Sequence, residues 1–363
     1  MNNERYIRQM ILPGFGQAAQ DKLRAAKVLI IGVGGLGCPA LQYLVGAGVG
    51  AIGLMDGDTV SRSNLHRQLL FNESDIGKNK AFVAAEKMKL LDPEISFLVY
   101  PFQLSNRNAL DYIGAYDIVI DGTDNFAAKY MINDACVLLH KTFVYGAVSR
   151  YQGQVSVFNV TAGKGRSLNY RDLFPVSPAR GEIQSCEEAG VIGVLPGIIG
   201  TMQAAEAVKL LTGLGETLYG RLYNYDVWQA RSYEIVLSLH PDVTEIDQDS
   251  FVQADYSFVC EDGDEDIPEI NVREFNRLLQ EPNVFVLDVR ERHEFPRIDF
   301  SDAQIPMSEL QASLETLPAK EICVICHQGI RSVYAAQLIK TRRNLPVYSL
   351  KGGLTAYFNQ QGI

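Results

Sequence analysis

Directly after the apolar run at residues 27–31, the chain turns through Gly32-Val33-Gly34-Gly35-Leu36-Gly37 and enters a helical pattern. A glycine turn between a strand and a helix commits this region to a βαβ start, because residues without a Cβ let the backbone fold back tightly. They also leave N–H groups and the helix N-terminus facing an anion. Short apolar, β-rich runs then alternate with helical patterns, at residues 51–55, 95–100, 116–120 and 142–145. This alternation predicts a doubly wound α/β sheet, mostly parallel. Alternating segments at 154–160, 218–225 and 232–239, with an apolar helix over 196–211 that stops at Gly213, predict an antiparallel extension of that sheet.

A second reactive loop lies near the other end of the chain, Cys326-His327-Gln328-Gly329-Ile330-Arg331, after an apolar run at 322–325. A cysteine at a strand end, ringed by backbone N–H groups, a helix N-terminus and an arginine, favours a thiolate or persulfide. Four residues separate Cys326 from Arg331, a smaller ring than the five-residue spacing that fits a tetrahedral phosphate. Cys323 is read as core, since Cys323-Val324-Ile325-Cys326 runs along a predicted strand. His327 is left open between tuning the thiolate and pointing to solvent. Strands at 284–287, 322–325 and 347–350 predict a small second α/β domain.

Between these domains, residues 245–269 hold ten Asp or Glu and no Lys or Arg. Self-repulsion predicts an extended linker here, with a span of about 25 to 30 Å if flexible. The competing reading is an acidic surface loop in which Phe251, Tyr256, Phe258 and Val259 pack. The expected organisation is therefore residues 1–244, an acidic linker at 245–269, and residues 270–363.

With 363 residues and 47% hydrophobic content the chain can build two ordinary cores, and its net charge of −10 argues against nucleic acid or anionic lipid as partner. Residues 1–8 lack the apolar stretch of a signal peptide, and no apolar run is read as long enough to span a bilayer. A cytoplasmic location is expected. Six scattered cysteines in a chain of this size are expected as reduced thiols.

The glycine turn alone serves NAD as well as ATP, and Asp56 closes the next strand where a carboxylate can hold ribose hydroxyls. Further motifs follow in order: Arg5-Tyr6-Ile7-Arg8-Gln9, Asp56-Gly57-Asp58, Ser63-Asn64-Leu65-His66-Arg67-Gln68, Gly77-Lys78-Asn79-Lys80 and Asp121-Gly122-Thr123-Asp124-Asn125. With Gly32, Gly34, Gly35 and Gly37 they resemble the MoeB and ThiF branch of ubiquitin-activating-enzyme-like adenylyltransferases, whose nucleotide domain is Rossmann-like. The resemblance implies that Asp56 holds the ribose of ATP, with Asp58 beside it, and that Asn64, Arg67 and Lys80 contact the phosphates. It also implies that Asp124 binds Mg²⁺, and that Arg8 reaches the ATP of a neighbouring subunit in a homodimer. Cations and a metal suit a transition state that gathers negative charge between the α-phosphate and an attacking carboxylate. A helix N-cap is the alternative role for Asp124.

Many relatives hold a structural zinc with two Cys-x-x-Cys pairs. Asn169, Asp172, Val243 and Ile246 stand at those positions here, so no zinc is expected and the loop at 166–180 is either held by other means or mobile. Cys186 matches a position where some relatives carry a cysteine that bonds transiently to the carrier or to sulfur. An unreactive loop thiol is the equal alternative, since Glu187 and Glu188 flank it.

From residue 270 to the C-terminus, Val286-Leu287-Asp288-Val289-Arg290-Glu291, the Cys326 loop and Tyr348-Ser349-Leu350-Lys351-Gly352-Gly353-Leu354 resemble a single rhodanese domain, with a departure between Glu294 and Met307. The combined resemblance implies an enzyme that is both adenylyltransferase and sulfurtransferase. Its substrate would be a small ubiquitin-like sulfur-carrier protein ending in Gly-Gly. ATP and Mg²⁺ would activate the carrier, and a Cys326 persulfide, assisted by Arg331 and loaded by a donor such as a cysteine desulfurase, would convert it to a thiocarboxylate. Molybdopterin, thiamine or a related thio-cofactor is the implied destination. A tRNA-modifying dehydratase of the same superfamily, or an NAD oxidoreductase with a docking rhodanese module, are the alternatives.

Overall fold

The computed structural model describes residues 4–160, 165–175, 190–244, 246–254, 256, 267–290, 292, 294–327, 329–343 and 345–361. They divide into two compact units, one built on an eight-stranded sheet and the other on a five-stranded sheet.

The large sheet contains β1 (Lys27–Ile31), β2 (Ala51–Met55), β3 (Ser96–Tyr100), β4 (Ile118–Asp121), β5 (Thr142–Ser149), β6 (Gln152–Phe158), β7 (Arg221–Asp226) and β8 (Arg231–Val236). Their order is β3-β2-β1-β4-β5-β6-β7-β8. Pairing is parallel from β3 through β5 and antiparallel from β5 through β8. The change of sense follows from connection length: Arg150-Tyr151 allows only a hairpin between β5 and β6, whereas the earlier strands are separated by helices. Strands β1, β2 and β4 are buried almost throughout, as expected of a parallel sheet covered on both faces.

The helix Val194–Thr212 is long and apolar enough, by length and composition, to cross a membrane, although Glu206 and Lys209 interrupt its apolar run. Its apolar side packs on the Gly37–Ala47 helix and on β5 and β6, with Leu195, Ile199, Ala204 and Ala207 buried. Gly213, with φ +73°, caps its C-terminus in the left-handed conformation.

The acidic segment is not extended through its first half. Gln248–Gln253 forms a short helix capped by Asp247, which accepts from the Ser250 N–H at 2.7 Å. Phe251 is fully buried in the aromatic core of the large unit and Tyr256 nearly so, with ring centroids 5.6 Å apart. Tyr256 also donates its hydroxyl to Asp134 at 2.9 Å, and Asn106 donates to the carbonyls of Val252 and Ala254. Burying one aromatic ring stabilises by about 2 to 3 kcal/mol, enough to outweigh the repulsion of the neighbouring carboxylates. Phe258 and Val259 lie outside the described residues.

Of the four positions considered for zinc, Asn169 and Asp172 belong to a polar cluster, and Ile246 packs against the aromatic core. Asn169 and Asp172 form a reciprocal capping box around the short helix Tyr170–Leu173. Arg166 meets both Asp172 oxygens at 2.7 Å and donates to the His240 carbonyl at 2.9 Å, while the His240 N–H donates to Asp172 at 2.7 Å. Two segments more than sixty residues apart are thus stapled by an ion pair. Burial alone would raise the Asp172 carboxyl, but Arg166 and the amides of His240 and Asn169 hold it below the usual carboxylate range.

The small unit orders β9 (Glu269–Ile270), β10 (Val284–Asp288), β11 (Ala303–Gln304), β12 (Glu321–Ile325) and β13 (Val347–Leu350) as β11-β10-β12-β13-β9, all parallel. Strand β12 is central, and its register pairs Ile325 with Asp288 and Val324 with Ser349.

Candidate functional sites

In the large unit, β1 lies between β2 and β4, so the loops leaving their carboxyl ends meet where the strand order reverses. Gly32 has φ +87°, and a Cβ on it would lie 2.8 Å from the Gly122 carbonyl. A Cβ on Gly37 would lie 2.0 Å from the Gly32 oxygen. Those two glycines are therefore fixed by protein packing, and their closeness seats the Gly122-Thr123-Asp124 turn on the glycine loop. Gly34 is different, since an added Cβ would meet only Gln68 Nε2, at 3.5 Å. Gln68 is 3% exposed, and among the described residues its Oε1 has no hydrogen-bond partner. A buried, unsatisfied acceptor beside an open glycine suits a ligand with polar groups.

Asp56 leaves β2 with both oxygens engaged, accepting from the Val33 N–H at 2.7 Å and from the Asp58 N–H at 2.8 Å. Burial raises its carboxyl above the ordinary range, and Lys80 and the two amides counter that only in part. Lys80 is 6% exposed and donates to Asp58 at 3.0 Å; Gln103 donates to the other Asp58 oxygen at 3.0 Å. Asn79 caps the Lys80–Leu91 helix and donates to the carbonyls of Asp56 and Asp58, locking the acidic turn to the helix that carries Lys80. Asn64 is buried and braces the Ser61 turn, and Arg67 donates to the Ser63 carbonyl at 3.0 Å with its stem against Gly35.

Asp124 is exposed on the turn after β4, and the cap of the Phe126–Leu138 helix is Asn125, which accepts from the Ala128 N–H at 2.9 Å. The capping alternative for Asp124 is thereby corrected. The buried charge of that turn belongs to Asp121, which accepts from Lys129 at 2.6 Å and from Thr123. Among the described residues no three His, Cys, Asp or Glu side chains are grouped to hold a metal. Arg8 stands apart from all of these. Its short helix, Ile7–Met10, is tied through Gln9 to the Ala47 carbonyl at the C-terminal end of the Gly37–Ala47 helix. Eleven residues of helix, about 16 Å, separate that end from the glycine loop. Cys186 lies outside the described residues.

In the small unit Cys326 follows β12 and is 1% exposed. Its Sγ accepts from the Gly329 N–H at 3.2 Å and the Ser332 N–H at 3.4 Å, and lies 3.5 Å from the Ser332 hydroxyl. Ser332 is itself held by the Gly329 carbonyl and by Ser349, each at 2.9 Å. The loop closes on Gly353: a Cβ there would lie 2.5 Å from the Cys326 carbonyl, and the Leu354 N–H donates to that carbonyl at 2.9 Å. The helix Ile330–Arg343 begins inside the ring, placing Arg331 in its first turn. Arg331 is turned onto Glu294, meeting its two oxygens at 2.6 and 2.8 Å. The charge closest to Sγ in sequence is thus engaged elsewhere, and amide and hydroxyl dipoles surround the sulfur. Cys323 is fully buried and its thiol is pushed up to about 12 by burial, as befits a core residue.

Sequence reasoning missed Gln68, Gln103, Ser332, Ser349 and Glu294 as parts of these sites. Asn79 had a local signal, an asparagine directly before a helix. Glu294 had none, since it meets Arg331 across 37 residues of chain.

Comparison with known proteins follows this division. Residues 6–243 match the ThiF family and residues 271–360 the rhodanese-like domain. "Probable adenylyltransferase/sulfurtransferase MoeZ" of Mycobacterium tuberculosis is 37% identical over 98% of this chain and 93% of its own length. "Adenylyltransferase and sulfurtransferase MOCS3" of Drosophila virilis is 38% identical over 99% of this chain and 85% of its own. "Sulfur carrier protein adenylyltransferase" of Thermus thermophilus is 46% identical over 66% of this chain and 88% of its own. Among solved structures, Escherichia coli MccB with ATP shares the fold of the larger unit, with TM-score 0.58 and 23% identity over 67% of this chain and 74% of that one. The glycine turn with its acidic and basic partners, and the cysteine ring downstream, lie inside those two matched stretches, and the chain belongs to the ThiF family with a rhodanese-like domain after it.

Proposed function

We propose that this enzyme transfers AMP from ATP to the C-terminal carboxylate of a small ubiquitin-like sulfur-carrier protein ending in Gly-Gly, then delivers sulfur to it from Cys326. The observation carrying this reading is the pair of sites on one chain, one open to an external anion and one closed around its own sulfur. Relatives that align over nearly the whole chain bear names for both activities. At the first site Asp56, with both oxygens fixed, receives the ribose hydroxyls. The backbone of Gly34 and Gly35 and the Gln68 carboxamide border the phosphates. Lys80, Arg67 and Asn64 stand on rigid turns nearby, so their dipoles and charges are set before substrate binds. Mg²⁺ would be held by Asp124 and by nucleotide oxygens, supplying charge neutralisation at the α-phosphate. A lone exposed carboxylate fits that ion, which keeps most of its ligands as water and phosphate.

Arg8, too far from its own glycine loop, acts on the ATP of a second copy in a homodimer. Exposed Ile7, Ile11, Leu12 and Tyr43 around the same end of the Gly37–Ala47 helix give that copy an apolar surface to cover. At the second site the Cys326 thiolate takes a sulfur atom from a donor persulfide, and the resulting persulfide attacks the acyl adenylate, releasing AMP and joining carrier to Cys326 through an acyl disulfide. A second thiol, Cys186 or a small-molecule thiol, then reduces that S–S bond, freeing the carrier thiocarboxylate and the Cys326 thiol as the reducing thiols become a disulfide. A thiol that must stay reduced between turnovers is the reason to place the protein in the cytoplasm.

The test is ATP–pyrophosphate exchange with and without a Gly-Gly carrier, followed by mass measurement of the carrier. Exchange dependent on the carrier and a later replacement of oxygen by sulfur are expected. Exchange with no gain of sulfur would reject the coupling of the two sites.

A further inference from the structure

The loop around Cys326 carries one guanidinium, and that guanidinium is occupied. Arg331 is 9% exposed along its side chain and fits both Nη groups onto the two oxygens of Glu294. The fork is matched in geometry as well as charge, so the pair is stronger than a surface contact. Among the described residues of this unit the other deeply buried guanidinium, Arg290, is committed to Asp288 at 2.8 Å and to the Pro296 carbonyl at 2.9 Å. The N–H groups of Gly329 and Ser332 are directed at Sγ itself. An incoming dianion therefore meets a neutralised arginine with a carboxylate beside it. A sulfur atom carried on another thiol needs no such cation.

We propose that Glu294 is a specificity-determining residue for sulfur donation, directing Cys326 toward persulfide sulfur on a thiol and away from thiosulfate. This rests on the reading of Cys326 as a sulfur acceptor. In the favoured step the Cys326 thiolate attacks the outer sulfur of R–S–SH. A new S–S bond forms on Cys326, the donor S–S bond breaks, and the donor leaves as a thiolate, with no oxidant or reductant consumed. With thiosulfate the same attack expels sulfite, whose two charges must be held as they arrive and leave. The Glu294 carboxylate opposes both.

The experiment uses the full chain and two probes, cysteine persulfide and thiosulfate, with loading of Cys326 followed by mass and by transfer to cyanide. The unaltered protein should prefer cysteine persulfide by kcat/KM. Glu294→Gln keeps the side-chain volume and one hydrogen bond while removing the charge. It should raise kcat/KM for thiosulfate, relative to cysteine persulfide, by about tenfold, chiefly through KM. The gain should vanish in Glu294→Gln with Arg331→Ala, because the Arg331 charge, no longer offset by the Glu294 carboxylate, is what attracts thiosulfate. A ratio unchanged or lowered in Glu294→Gln, or a gain that survives loss of Arg331, overturns the proposal. If the variant does not fold, equal use of both probes by the unaltered chain overturns it as well. Failure of both probes to load Cys326 would instead sink the sulfurtransferase reading itself.

Discussion

The glycine loop and the cysteine loop share one plan, a backbone turn between the carboxyl end of a central parallel strand and the start of a helix. They differ in what fills the turn. After β1 nothing of the chain fills the turn: an added Cβ at Gly34 would meet only the Gln68 amide, at 3.5 Å, and charged groups stand on the neighbouring turns. After β12 the chain's own sulfur fills the turn, so the ring closes until Cys326 is 1% exposed, and Arg331 is paired with Glu294. The same N–H geometry becomes a receptor or a holster according to whether a side chain already fills it.

The largest effects should come from changes that strike one loop and leave the other alone. Cys326→Ala is expected to reduce sulfur transfer to background while ATP–pyrophosphate exchange persists; loss of exchange as well would break the separation of the loops. Asp124→Asn should do the reverse, lowering exchange by about 10² to 10³-fold, with Cys326 loading intact by mass. Gly37→Ala places a Cβ 2.0 Å from the Gly32 oxygen, whereas Gly34→Ala meets only the Gln68 amide. The first should abolish folding or exchange, and the second should raise KM for ATP with the protein still folded, as circular dichroism would register.

A middle-sized effect distinguishes sites made by one chain from sites made by two. Mixing Arg8→Ala protein with Asp124→Asn protein, each nearly inactive, should restore about a quarter of the exchange activity, since half the dimers are mixed and each mixed dimer keeps one intact site. No recovery after subunit exchange would mean that Arg8 does not act across an interface.

Smaller still are effects on the polar staple of Arg166, Asp172 and His240. Asp172→Asn should cost about 3 kcal/mol in denaturant unfolding of the large unit, by removing the buried charge that faces Arg166 and one of the two oxygens that Arg166 and the His240 amide share. Because the folded Asp172 carboxyl lies below its unfolded value of about 3.9, its contribution is complete above that pH and is lost as pH falls through the folded value. Arg166→Met should flatten that acid dependence, and chelators should leave the unfolding midpoint unmoved. A midpoint that falls in chelator would point to a metal after all.

Much of this arrangement was legible in the sequence because it is local. Glycines at fixed spacing, apolar runs of five residues, Asn79 before a helix and Gly213 after one are each fixed by neighbours along the chain. Composition alone leaves the acidic segment open between an extended linker and a packed loop, because repulsion is visible in the sequence while the cavity that takes Phe251 is not. Asp124 was offered a capping role that Asn125 fills, since adjacent residues with similar chemistry are separated only by backbone angles. Arg331 was read as a cation for sulfur because its spacing from Cys326 is in the sequence and Glu294 is not.

The sequence by itself therefore determined the two domain types, the family and the chemistry each loop can attempt. Those depend on backbone conformation and on side-chain identity at short range. Only the tertiary structure decided which charges are available. Lys80 is held by Asp58, Arg331 by Glu294, Arg166 by Asp172, and Arg8 is held a helix length from its own glycine loop. Electrostatic partners are chosen by proximity in space, and spatial proximity between distant residues exists only once the sheets have formed.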